Sequence, residues 1–206
     1  LWVAGSAGVT AFSVPVDAGS EAATYFPGNS QILSGNVLAI AAGKKDMLWF
    51  GTDKGISAFR SRKWLVNDYS DRYPDGLFEG ISISSMAVSK NGDSLYVGTI
   101  GSGVLRVFRN DVDAVSGASE YMQWGPILMP SDTVYCIHIT PDGTQWIGTS
   151  RGVTQHKGSN TLEGWKIFDS GSGLANNMVQ SINSDANGNL YFGTRNGLSV
   201  FDGNIW

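Results

Sequence analysis

The 206 residues carry 14 Lys and Arg against 18 Asp and Glu, a formal charge of −4, with 42% hydrophobic and 11% aromatic side chains. That length makes one large domain or at most two, and that composition buries a core and is not a disordered chain. The acidic balance without basic runs argues against a nucleic-acid binder, the single cysteine, Cys136, excludes a disulfide framework and a multi-cysteine zinc site, and no apolar run approaches the roughly 20 residues of a membrane helix. No basic-then-apolar leader precedes Leu1, so any signal peptide is expected to be already removed or never present.

The opening LWVAGSAGVTAF returns as LWFGTDKGISAF from Leu48, LYVGTIGSGVLRVF from Leu95, QWIGTSRGVTQH from Gln145 and LYFGTRNGLSVF from Leu190, at offsets of 47, 47, 50 and 45 residues. A period near 45 is that of a four-stranded propeller blade. Each copy reads as a hairpin. An aromatic-rich run ends at Gly-Thr (Ala4-Gly5 in the first copy), two or three turn residues follow, and then a glycine (Gly8, Gly55, Gly103, Gly152, Gly197) opens a second run. The third copy carries an extra Gly-Ser, which leaves its register after the turn open by a residue or two.

A first strand precedes each later hairpin, with apolar columns Val37, Ile83, Val134, Val179 and Ile40, Met86, Ile137, Ile182. Their odd spacing predicts opposite faces of a strand buried on both sides. A fourth strand follows each hairpin, marked by Tyr25-Phe26, Trp64, Tyr121/Trp124, Trp165 and Trp206. The expected fold is therefore all-β: a single propeller segment over residues 1–206, built of four-stranded antiparallel blades of about 45–50 residues. The expected blades are 1–30, which lacks a first strand, 31–75, 76–124, 125–170, and 171–206, whose fourth strand is truncated. The segment is expected to be a piece of a longer propeller.

The run of apolar-Trp/Tyr-apolar-Gly-Thr-x-x-Gly-apolar, with Asn/Asp-Gly before it and aromatic-Asp-Gly-x-x-Trp after it, resembles the two-component regulator propeller repeat. NGNLYFGTRNGLSVFDGNIW matches it best, and the linker GSGLANNMVQSI is similar to that family's Gly-Leu-x-x-Asn-x-Val-x-x-Ile stretch. The resemblance covers nearly the whole chain. It implies a periplasmic or extracellular sensor domain of a hybrid two-component system, often one that recognises glycan fragments, or a related secreted propeller.

The recurring aromatics Trp2, Trp49, Tyr96, Trp146 and Tyr191 read as packing between blades, because a binding site would need them at one place only. His156 stands in the column of Phe12, Phe59 and Phe201 and reads as a packing substitution; Cys136 reads as a buried small hydrophobe. His138, on an inner strand, either points at the central channel and a ligand or is a satisfied core histidine. Asp142 and Asp185 read as turn residues.

The candidate ligand site gathers Lys54, Arg151 and Arg195, in second-to-third strand turns, with Tyr69, Arg72 and Tyr73 in an expanded blade-joining loop on the same rim, and His138. Cations and aromatic faces on one rim suit an anionic saccharide. The expectation is a binding domain without catalytic residues, metal or cofactor. Its partners would be an oligosaccharide or other small ligand and a second copy in a homodimer, with no nucleic acid and no membrane contact within this segment. The alternatives are a propeller enzyme of lyase or lactonase type with a central-channel site, and a structural protein–protein platform.

Overall fold

The structure, a computed structural model, describes residues 1–14, 21–65, 80–108, 128–157 and 164–206. It divides into two compact units, Leu1–Ser84 and Ser85–Trp206.

The first unit holds a three-stranded sheet, β1 (Trp2–Gly5), β2 (Gly8–Phe12) and β3 (Ala22–Tyr25), and a four-stranded sheet, β4 (Val37–Ala42), β5 (Leu48–Thr52), β6 (Gly55–Arg60) and β7 (Lys63–Leu65). The unit boundary falls inside β8 (Ile83–Val88), which pairs with β9 (Ser94–Thr99) and then β10 (Val104–Phe108). A complete blade follows, β11 (Val134–Ile139), β12 (Gln145–Thr149), β13 (Gly152–His156) and β14 (Trp165–Phe168). The last sheet is β15 (Val179–Ser184), β16 (Leu190–Thr194) and β17 (Gly197–Phe201). Every sheet runs in chain order, as hairpin follows hairpin. The fourth-strand markers Trp64 and Trp165 sit in β7 and β14, whereas Trp206 lies beyond β17 and packs on Phe201, with ring centroids 4.8 Å apart.

The hairpin alignment holds residue for residue. Thr52↔Gly55, Thr149↔Gly152 and Thr194↔Gly197 close the turns, and Trp2↔Ala11, Trp49↔Ala58, Tyr96↔Arg106, Trp146↔Gln155 and Tyr191↔Val200 occupy one register position. In the third copy Val104 pairs with Gly98, the register of Val153 with Gly148. The turn absorbs the insertion and the strand does not shift.

One expectation is corrected. Val37 and Ile40 do not lie on opposite faces, because their strand bulges. Val37 pairs with Thr52 and Ile40 with Phe50, with the register shifting between Val37 and Ala39. The same shift falls between Val134 and Cys136 and between Val179 and Ser181. A bulge inserts one unpaired residue and restores the face; here it is Leu38, Tyr135 or Gln180. Val37 and Ile40 consequently join one core with Phe50 and Phe59, and Val179 and Ile182 join another with Phe192 and Phe201.

The bulge gives these blades two unlike faces. Within the second unit, Trp146 on one sheet packs against Phe192 (5.4 Å) and Phe201 (5.8 Å) of the next. Within the first unit, Trp2 does the same to Phe50 (5.4 Å) and Phe59 (5.0 Å). An aromatic of the second strand thus enters the Val/Ile/Phe face of the following blade. Edge-to-face and tilted rings at these separations add to the area term of burial. Tyr96 follows the rule with Ile147 in place of phenylalanine, and its hydroxyl accepts a hydrogen bond from Gln145 Nε2 at 2.9 Å. His156 is buried where Phe59 and Phe201 stand. Its ring stacks on Trp165 at 3.9 Å, and its Nδ1 meets Gln145 Oε1 at 3.3 Å. It is a packing residue, as its column predicts.

Candidate functional site

The recurring Gly-Thr builds one kind of turn. The threonine hydroxyl donates to the carbonyl of the glycine that opens the next strand, at 2.8 Å for Thr52, Thr99 and Thr149 and 2.7 Å for Thr194. The same oxygen accepts the backbone N–H of Lys54 (3.1 Å), Ser102 (3.0 Å), Arg151 (3.1 Å) or Asn196 (3.3 Å). The glycine has φ of 126° at Gly55, 136° at Gly152 and 119° at Gly197, and a Cβ on Gly152 would meet the Phe168 carbonyl. No other residue fits that conformation and approach cheaply.

Three of these turns are tied to the segment that leads into their own blade, whereas the Thr99 turn is tied through the Gly101 and Gly103 N–H groups to the carbonyl of Asp132, which leads into the next. Asp53 N–H donates to the Asn36 carbonyl (3.4 Å), Ser150 N–H to Thr133 (3.0 Å) and Arg195 N–H to Met178 (2.9 Å). Side chains repeat the tie: Ser150 and Ser131 hydroxyls lie 2.7 Å apart, and a hydrogen bond from Ser34 leads those holding the Asp53 carboxyl below the usual carboxylate range. Second-to-third turns and blade-joining segments therefore share a rim within each unit, as the alignment predicts.

Arg151 and Arg195 are both exposed on that rim in the second unit, at neighbouring blades; Lys54 holds the corresponding place in the first. Arg151 and Lys54 take the second turn position, and Arg195 the first, so the two arginines leave the backbone from different points. Tyr69, Arg72 and Tyr73 lie outside the described residues.

His138 does not join them. It pairs with Trp146, four residues along β11 from Val134, which pairs with Thr149 beside Arg151. At about 3.3 Å per residue that is roughly 13 Å toward the other rim. Its Nε2 lies 3.0 Å from Ser184 Oγ on the next inner strand, and burial pushes its pKa down. It is a partnered, half-buried histidine. Cys136 is partly buried: burial pushes its thiol up to about 12, and its Sγ–H points to the Val179 carbonyl at 3.8 Å.

The opposite rim carries the first-to-second turns. Asp142 Oδ1 accepts the Thr144 N–H (3.0 Å), and Asp185 Oδ1 accepts the N–H groups of Asn187 and Asn189 (2.9 Å each). Both carboxyls are held below their usual range, Asp142 first by Thr140 and Asp185 first by Asn189. These are turn locks. In the first unit this rim also opens into a cavity of about 600 Å³ beside Trp2, Lys45 and Arg62, which the sequence reading did not single out.

The family described as "Two component regulator propeller" matches residues 173–196. No curated protein matches the chain in sequence. Among solved structures, the chain is similar to the extracellular domain of BT3049 from B. thetaiotaomicron, named as a hybrid two-component system, at 22% identity and a TM-score of 0.77, covering 98% of this chain and 26% of that one. It is similar to the extracellular domain of BT4673 from the same organism, also named as a hybrid two-component system (15% identity, TM-score 0.73, 97% and 25% covered). It is similar as well to PorZ, a surface component of the type-IX secretion system of Porphyromonas gingivalis (20% identity, TM-score 0.67, 98% and 30% covered). The chain thus spans about a quarter of the length of the two extracellular domains. Residues 173–196 carry the two-component regulator propeller repeat, and the whole chain is a run of β-propeller blades in which four further hairpins repeat its spacing.

Proposed function

We propose that this propeller segment is a ligand-sensing or binding domain that works outside the cytoplasm and does no chemistry itself. Its ligand would be an acidic oligosaccharide held on the rim of Arg151 and Arg195. One observation carries the reading: the two guanidinium groups stand exposed on turns whose backbones are already fixed by Thr149, Thr194, Thr133 and Met178. A turn ordered before binding spends little free energy on ordering at binding. Guanidinium groups take carboxylates and sulfates in charge-assisted, bidentate fashion. The likeness to extracellular domains named as parts of two-component systems supports the location and the sensing role.

Titration calorimetry of the chain with a uronate-containing or sulfated oligosaccharide tests it. Arg151→Ala and Arg195→Ala should each weaken binding by roughly 1.5–3 kcal/mol while leaving the melting temperature nearly unchanged. Unchanged affinity in both variants sinks the reading.

A further inference from the structure

Among the described residues, every non-glycine with positive φ lines one cavity. They are Lys45 (φ 54°), Asp46 (57°), Ser61 (50°) and Arg62 (62°), all on the blade of β4–β7. They form two two-residue turns. Lys44–Met47 closes with a Met47 N–H to Lys44 carbonyl bond at 3.3 Å, and Arg60 pairs with Lys63 across the other. Positive φ at both central positions is the type I′ arrangement, which asparagine and glycine favour. L-residues crowd their own Cβ there. The other repeats follow that preference. Two residues before the second strand, where this blade has Asp46, stand Gly143 (φ 90°) and Gly188 (88°); two residues after the terminal phenylalanine, where it has Ser61, stands Gly203 (102°). Side chains kept in an unfavourable conformation, on one blade and around one cavity, point to use rather than accident.

The cavity measures about 600 Å³, within the range of small-molecule sites. Trp2 and Phe59 give it aromatic walls, and the two turns put Lys45, Arg62 and Asp46 at its mouth. Among the described residues none pairs with the Lys45 or Arg62 side chain. Two cations against one carboxylate leave the mouth positive. A cation is repelled there, and a fully polar ligand leaves the rings without apolar cover.

We infer that this cavity binds a small amphipathic carboxylate: an aromatic body lying against Trp2 and Phe59, with its anionic head held by Arg62 and Lys45. Within its own unit the site is on the rim opposite Lys54, and it stands independently of the oligosaccharide reading.

The probe is 3-phenylpropionate, titrated into the full chain and followed by ¹H–¹⁵N spectra. The controls are 3-phenyl-1-propanol, which lacks the charge, and acetate, which lacks the ring. Saturable shifts should centre on the Trp2 indole N–H and the Lys45 and Arg62 amides, with both controls binding far more weakly. Arg62→Gln should weaken the acid about tenfold, the scale of one charged hydrogen bond. The double change Ser61→Asn with Arg62→Gly suits the turn better, so it should raise the melting temperature and still lose the acid. No saturable response at Trp2, equal binding of the alcohol, or undiminished affinity in either variant overturns the site.

Discussion

Gly148 lies directly against Cys136: a Cβ built on the glycine would run into the cysteine sulfur and stand 2.9 Å from Val179 Cγ1 of the following blade. The glycine of Gly-Thr is thus a point where two blades close on each other. Gly148→Ala should cost roughly 1–3 kcal/mol in urea unfolding, as overpacking does. Gly5→Ala, at the first repeat's counterpart of Thr149, has nothing within 4 Å of the added Cβ and should stay within about 0.5 kcal/mol of the parent. Equal effects of the two changes would remove the close approach as the reason for the glycine.

Thr149 is fully buried, and its hydroxyl serves both the Gly152 carbonyl and the Arg151 N–H. Thr149→Val keeps the shape and leaves both groups short of a partner. The expected loss is about 1–3 kcal/mol, and amide exchange at Arg151 should quicken more than at Ile147 in the strand centre.

The Cys136 thiol, held near 12 rather than 9 by burial, has about a thousandfold less thiolate at pH 8 than a free one. Iodoacetamide should leave the native chain unmodified on a timescale that labels it fully in urea. The sign of the pH effect follows. A folded value above the unfolded one favours the protonated thiol of the native state, so this contribution is whole below about pH 9 and fades above it. Rapid native labelling would show that the Val179 strand does not close over the sulfur.

His138 gives the opposite slope. Its pKa is lowered by burial, so below the ordinary 6.5 the unfolded chain takes up a proton that the folded chain refuses. Stability should therefore fall as pH drops through about 6.5. His138→Gln, able to keep a hydrogen bond to Ser184, should flatten that fall between pH 7.5 and 5.5. An unchanged slope in the variant would mean that another group titrates there.

The hairpins were legible because Gly-Thr and the strand-opening glycine recur at one spacing and each has a local reason, a hydroxyl that locks the turn and a backbone that needs positive φ. The face of Ile40 was not. Alternation assumes an unbroken ladder, and the bulge at Leu38 is a matter of backbone pairing that no side-chain pattern announces. Arg151 and Arg195 could be placed on a rim from the alignment alone. Their different turn positions are already visible in Gly-Thr-Ser-Arg-Gly against Gly-Thr-Arg-Asn-Gly, and the register confirms them. The cavity beside Trp2, by contrast, was hidden. Lys44-Lys45-Asp46 reads as an ordinary polar turn, and only the glycines at the same place in other repeats mark it as unusual.

The second position of the Thr-locked turns has a practical consequence. Lys54, Arg151 and Asn196 give their backbone N–H groups to the lock, and their side chains take no part in it. Scaffold and surface are thereby uncoupled at three places. A library randomised at these positions, sparing proline, which lacks the N–H, should return mostly folded members and sample new recognition chemistry. Repeats of this kind can diverge in what they hold while every blade goes on folding in the same way.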